Sequence, residues 1–158
     1  MYYWFYQLFF KGGYVLFTIK DNVSNHLKTI LANYEENQLT HVYRVAENFR
    51  KDKDEDAYYL SLLHDIFEDT AVRFSDVQTF LSLVDKDYLL GSLVHLTRIQ
   101  NEAYTCYIQR LKQDNLAKKV KLAEILDYFS NNTIAFASQK EKYCKALAQL
   151  TKEDVMYD

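Results

Sequence analysis

The residues best equipped for chemistry lie in one short run, Leu62-Leu63-His64-Asp65-Ile66-Phe67-Glu68-Asp69-Thr70. Read as a helix, it sets Leu62, Leu63, Ile66 and Phe67 on an apolar flank and His64, Asp65, Glu68 and Asp69 on the flank beside it. Three carboxylates that close repel one another, so the face makes sense when a cation sits on it or water bathes it. Adjacent His64 and Asp65 both reach a cation over the ridge between them, and Glu68 and Asp69, one turn on, lie beside it without ligating. A solvated acidic face is the plainer alternative.

Three further segments carry groups of interest. His41 follows Thr40 near the start of a helical pattern, a position that suits a cap or a partly exposed core residue as well as a ligand. His95 lies in an apolar run and reads as a core histidine, while Arg98, just past that helix, reads as solvent-exposed and available to a phosphate. Glu124 borders the apolar face marked by Leu116, Val120, Ala123 and Asp127, and burial of its carboxylate is costly unless Lys121 or a metal pairs with it.

The elements that must position these groups read as helices. No proline interrupts the chain and its glycines are only Gly12, Gly13 and Gly91, a scarcity of breakers that favours an all-α bundle with short polar turns. From Asp21 onward the pattern predicts a helix to Ala32, then a turn over Asn37–Thr40, with Thr40 as cap of a helix buried through Leu39, Val42, Val45, Ala46 and Phe49. A polar loop over Arg50–Asp56 follows, then the motif helix over about Ala57–Glu68. Ser75 with Gln78 fits a capping box opening a helix toward Val84. Further helices are expected to about Leu96, over Glu102–Leu111, over Leu116–Ser130 and, after Asn131-Asn132, toward Leu150.

At 158 residues the chain is long enough for one domain with a real core, read as residues 21–158, preceded by an aromatic arm over residues 1–20. The arm, Met1–Phe10 and Tyr14–Ile19 about Lys11-Gly12-Gly13, lacks a basic n-region and a cleavage site, and is too short and too broken for a membrane span. It reads as a β-hairpin or as a sticky segment that contacts a membrane surface or joins subunits into a homo-oligomer. A net charge of −3 without a basic stripe argues against a nucleic-acid surface. Cys106 and Cys144 form no metal-spaced pair and read as reduced, at least half-buried thiols of a cytoplasmic protein.

Taken in order, His41, His64-Asp65 with Glu68-Asp69, Leu-Thr-Arg at 96–98, Glu102-x-Tyr104 and Val-Lys-Leu-Ala-Glu at 120–124 resemble the HD-domain phosphohydrolases. More narrowly, residues 38–132 are similar to the RelA/SpoT branch that hydrolyses (p)ppGpp. The resemblance implies a single helical bundle of HD type holding one divalent metal, typically Mn²⁺, with Fe²⁺ or Zn²⁺ compatible with the same donors. Carried over, the ligands are His41, His64, Asp65 and Glu124. Glu68 and Asp69 orient a water and take its proton, and Arg98 and Lys121 hold phosphate charge. Three departures accompany it: Glu124 and Tyr128 stand where the family has Asp and Asn, and Asn33–Thr40 contains no Lys, Arg or Gly for a guanine-side loop. They motivate an alternative, an HD module that binds a nucleotide or metal without efficient turnover. A structural or interaction protein working through the arm is a third reading.

Overall fold

Among the residues that the computed structural model describes, 21–131 and 137–152, the regular structure is helical and no strand occurs. In chain order they are α1 (Asp21–Leu31), α2 (Glu36–Asp52), α3 (Glu55–Leu63), α4 (Ile66–Asp69), α5 (Phe74–Leu83), α6 (Leu89–Leu96), α7 (Tyr104–Leu111), α8 (Asn115–Ser130) and α9 (Ala137–Thr151). The aromatic arm, with its expected hairpin, lies outside the described residues. Among those residues no helix is long and apolar enough to cross a membrane.

The bundle is built around α3. A helix that is apolar on every side must be surrounded by others, and Ala57, Tyr59, Leu60, Leu62 and Leu63 are all buried. Helices α2, α6 and α8 pack on it, and α9 closes over α7 and α8. Tyr107, Phe80, Leu93 and Ile108 fill the interior between them.

Short polar devices fix where each helix stops, and several differ from the sequence expectation. Helix α2 begins at Glu36, well before Thr40, because the Gln38 side chain accepts the Glu35 amide at 3.0 Å and turns the supposed loop into the first turn. The polar run after Arg50 is likewise mostly helix. Lys53 adopts φ 58°, ending α2, and Asp54 accepts the Ala57 amide at 3.0 Å, starting α3. The Ser75–Gln78 capping box is not made; Arg73 pairs with Asp76 at 3.0 Å, and the helix starts at Phe74. Asp114 caps α8 through the Ala117 amide at 2.7 Å while its other oxygen takes the Ser92 hydroxyl of α6 at 2.9 Å, which sets the register of α8 on the bundle. Cys106 and Cys144 are exposed, contrary to the expectation of burial, because each sits on the outward face of its helix.

Candidate metal centre

The motif is not one continuous helix. Helix α3 ends at Leu63, and His64 and Asp65 form a bend before the single turn of α4, where the amides of Glu68 and Asp69 return to the Asp65 carbonyl at 3.1 and 2.9 Å. The bend turns His64 inward, leaving it 1% exposed beneath α2 and α8. Its Nδ1 donates to the Ser61 carbonyl at 2.6 Å. Because a carbonyl only accepts, Nδ1 carries a hydrogen, and Nε2 is the nitrogen that can give up its proton to another partner.

His41 is arranged the same way from the opposite side. The one-turn-earlier start of α2 buries it rather than leaving it at a helix edge. Its Nδ1 meets Asp127 Oδ2 at 2.7 Å, and Arg44, three residues on, holds both Asp127 oxygens at 2.9 and 2.8 Å. This carboxylate–imidazole pairing fixes the ring and turns Nε2 toward the site. Tyr128 stacks on the imidazole, with centroids 4.4 Å apart and planes 20° from parallel, and Tyr143 stacks on Tyr128.

The two imidazoles therefore converge, their centroids 5.4 Å apart. One donor atom each from His41, His64 and Asp65 lie within 4.8 Å of one another, the arrangement needed to share a cation. Both Nε2 atoms are buried without a hydrogen-bond partner. His64 Nε2 touches Asp65 Oδ2 at 3.1 Å in an ion pair, off the line of a hydrogen bond. The group fits a divalent metal that displaces the His64 Nε2 proton: two imidazole nitrogens and a carboxylate face one space, and each ring is fixed by a bond at its far nitrogen.

The structure does not bring Glu124 into that group. Its Oε1 is held by Lys121 at 2.6 Å, one turn back on α8, while Oε2 is buried with no hydrogen-bond partner. The Glu124 charge nonetheless acts on both His41 and His64. Lys121 is equally enclosed, its ammonium 5.4 Å from the Tyr107 ring centroid, so it lines the interior instead of reaching outward for phosphate as expected. Arg98 is exposed as expected, but its guanidinium is held on the Glu102 carbonyl at 2.9 and 2.6 Å. Its amide is bound by Glu68 Oε1 at 2.9 Å, which ties α4 to the loop before α7. His95 is half-buried and gives no ligand; its Nδ1 meets the Arg110 carbonyl at 3.0 Å.

Burial and charge set the protonation of the group. Burial pushes the His64 imidazole down, but the Asp65 carboxylate outweighs it and carries the ring up to about 9. Asp65 is held well below the usual carboxylate range, since His64 overcomes the opposing effect of burial. His41 is shifted down, by burial first and then by the positive charge of His64, against the pull of Asp127. Glu68 and Asp69 are both raised, chiefly by burial, with Asp65 adding to the effect at each.

Two groups were not picked out from the sequence. Asp127 was legible as a buried-face residue of α8 but not as the orienting partner of His41; the available signal was the His41–Arg44 spacing, which presents two donors to one acceptor. Lys142 of α9 was not foreseen at all. Its ammonium stands 4.6 Å from the Tyr104 ring centroid, and burial together with the charges of Lys121 and Arg98 lowers its pKa. No family model matches the chain, and no curated protein matches it either.

Proposed function

We infer that the chain is a metal-dependent phosphohydrolase of HD type that acts on a small nucleotide, with (p)ppGpp as the first substrate to test and removal of the 3′-pyrophosphate as the reaction. The observation that carries this reading is the pair of buried, hydrogen-bond-free Nε2 atoms of His41 and His64 facing Asp65. A scaffold has no need to bury two such ring nitrogens without hydrogen bonds beside a carboxylate, because unpaired buried polar atoms destabilise the fold.

His41, His64 and Asp65 would hold the ion, with Glu124 supplying a buried negative charge beside them. A divalent metal in such a site, Mn²⁺ by the family resemblance, supplies Lewis acidity and an acidified water near neutral pH. Glu68 and Asp69 flank the group, and their basicity, raised chiefly by burial, suits them to accept a proton from a water. Arg98 and Lys142 would supply positive charge for phosphate oxygens, while Lys121 stays a buried cation paired with Glu124.

Elemental analysis of protein purified without chelators or an affinity tag tests the site. Stoichiometric manganese, iron or zinc that disappears in His64→Ala supports it, and a metal-free wild type with no affinity for added Mn²⁺ overturns it. Incubation of the Mn²⁺-loaded protein with ppGpp and a nucleotide panel tests the reaction, which Asp65→Ala must abolish. One observation favours a second reading, a binding module with slow turnover: Lys121 occupies one oxygen of Glu124. Saturable nucleotide binding without release of phosphate or pyrophosphate would select that reading.

A further inference from the structure

Two cations meet at the ring of Tyr104, and neither is paired with an acid among the described residues. The chain's other arginines, Arg44, Arg50, Arg73 and Arg110, each hold a carboxylate. Arg98 instead donates from Nε and Nη2 to the Glu102 carbonyl, while the Glu102 carboxylate is taken by Arg110 and the Ile99 amide. Its Nη1 is left over, on an exposed side chain whose Cζ lies 5.9 Å from the Tyr104 ring centroid. Lys142 reaches the same ring from α9. Its half-buried ammonium is 4.6 Å from the Tyr104 centroid and 4.9 Å from that of Tyr143, and none of its three donors meets an acceptor among the described residues. A ring face attracts a cation without satisfying its hydrogen bonds. Glu124 and Glu68 attract Lys142 from beyond ion-pairing distance, and each is engaged elsewhere, Glu124 with Lys121 and Glu68 with the Arg98 amide. Spare donors on two cations without a counter-charge leave a place that an anion completes.

The distances narrow the anion. Both centroid distances share Tyr104, so the ammonium and the guanidinium carbon are separated by no more than their sum, a span that a diphosphate covers with one charge-assisted bond at each end. This place is beside the candidate metal group and not on it. Tyr143 stacks on Tyr128 at 5.3 Å and Tyr128 on His41 at 4.4 Å, with planes 10° and 20° from parallel, so two rings stand between Lys142 and the imidazole. Arg98 is joined to the motif turn by its amide, which donates to Glu68 Oε1 at 2.9 Å. We propose that Arg98 and Lys142 form a subsite at Tyr104 for a diphosphate group of the substrate, separate from the phosphoryl group attacked at the metal. That its occupant belongs to the substrate rests on the phosphohydrolase reading above; the anion site does not. Contacts to a group that does not react bind ground state and transition state alike, so they act on KM and leave kcat nearly unchanged.

Calorimetry of the full chain, dialysed free of metal, with inorganic pyrophosphate tests the subsite. The wild type should bind, and Lys142→Met and Arg98→Gln should each weaken binding about tenfold, the loss of one charge-assisted hydrogen bond. Lys142→Arg should keep most of the affinity, since a guanidinium also pairs with phosphate. Lys145→Ala removes an exposed lysine of the same helix, paired with Glu141 at 2.6 Å, and should change nothing. A lower thermal midpoint in Lys142→Met with unchanged pyrophosphate binding marks a cation that only fastens α9 and overturns the proposal, as does a wild type that binds no pyrophosphate. Because Arg98 is exposed, its variant decides the matter if Lys142→Met does not fold. On Mn²⁺-loaded protein the KM for ppGpp should rise about tenfold in either variant, whereas the KM for guanosine 3′-pyrophosphate, which lacks the second diphosphate, should not move. Equal rises for the two substrates place the contact on the attacked group and overturn the assignment. If the wild type hydrolyses neither substrate while the metal-free chain binds pyrophosphate through Lys142 and Arg98, the phosphohydrolase reading fails and the anion site stands.

Discussion

The affinity of the site for a metal should follow the proton on His64. In the metal-free chain the ring titrates at about 9, because the Asp65 carboxylate at 3.1 Å outweighs the burial that pushes it down. A metal needs the Nε2 lone pair, and Nδ1 is already committed to the Ser61 carbonyl, so binding must expel a proton. Two pH units below that value, at about pH 7, only about one molecule in 100 offers the lone pair. The apparent Kd for Mn²⁺ at about pH 7 should therefore be about 100-fold weaker than its limit above pH ~9, a cost of about 2.7 kcal/mol. The sign follows from the direction of the shift. A raised imidazole keeps its proton through neutrality, proton and metal compete, and affinity rises about tenfold per unit from about pH 6 to about pH 8. His41 adds nothing to this slope at the upper end, since burial and the charge of His64 shift it downward.

Titration of free Mn²⁺ by its aqueous electron paramagnetic resonance signal gives the Kd at each pH. Calorimetry in two buffers of different ionisation enthalpy counts the protons released, with one expected per metal. Asp65→Asn supplies the internal control. With Asp65 gone, burial meets only the weaker pulls of Glu124 and the Ser61 carbonyl, His64 loses its proton at lower pH, and the pH slope near neutrality should flatten even though the remaining affinity is lower. An affinity independent of pH in the wild type, or binding with no proton release, refutes the reasoning.

Three other outcomes follow from the same geometry. Asp127→Asn removes a charge that both His41 and Arg44 bond, and it should weaken Mn²⁺ binding about 10- to 100-fold in a titration at fixed pH, as loss of a ligand-orienting partner does. Glu124→Gln leaves the buried Lys121 ammonium without its counter-charge and should cost about 3–5 kcal/mol in urea unfolding; Lys121→Met combined with Glu124→Leu should cost much less, because neither charge is then stranded. In the metal-free chain the raised His64 contributes stability that is fully present below about pH 6.5 and is lost as pH rises through about 9, so the urea midpoint should fall across that window. In Asp65→Asn that fall should shrink and move to lower pH.

The sequence was legible where a property is local and opaque where it depends on which distant helix faces which. The scarcity of breakers and the spacing of apolar residues were enough for an all-helical bundle, and His64-Asp65 stood out because neighbouring residues need no tertiary information to be recognised as a pair. The bend at that pair was hidden, since Leu60, Leu63, Ile66 and Phe67 continue a helical period straight through it and only the turn of His64 into the core interrupts the helix. Glu124 shows the opposite limit. Its need for a partner could be read from its place beside an apolar face, and both Lys121 and a metal were open to it. The choice rests on reach: an ammonium on a flexible stem one turn away arrives at 2.6 Å without any long-range arrangement. Asp127 needed more. Its bonds to His41 and Arg44 span 86 and 83 residues, and nothing local distinguishes it from the other acids of the chain. What makes it the orienting group is that α2 and α8 pack on the same central helix, and that their register is set by devices as remote as Asp114 gripping Ser92. Weakening that grip with Asp114→Ala should therefore be felt at the candidate metal site as well as in the stability of α8. The test is whether Mn²⁺ affinity falls with the loss of the cap, while Arg73→Ala, which breaks an exposed pair on α5, leaves it unchanged.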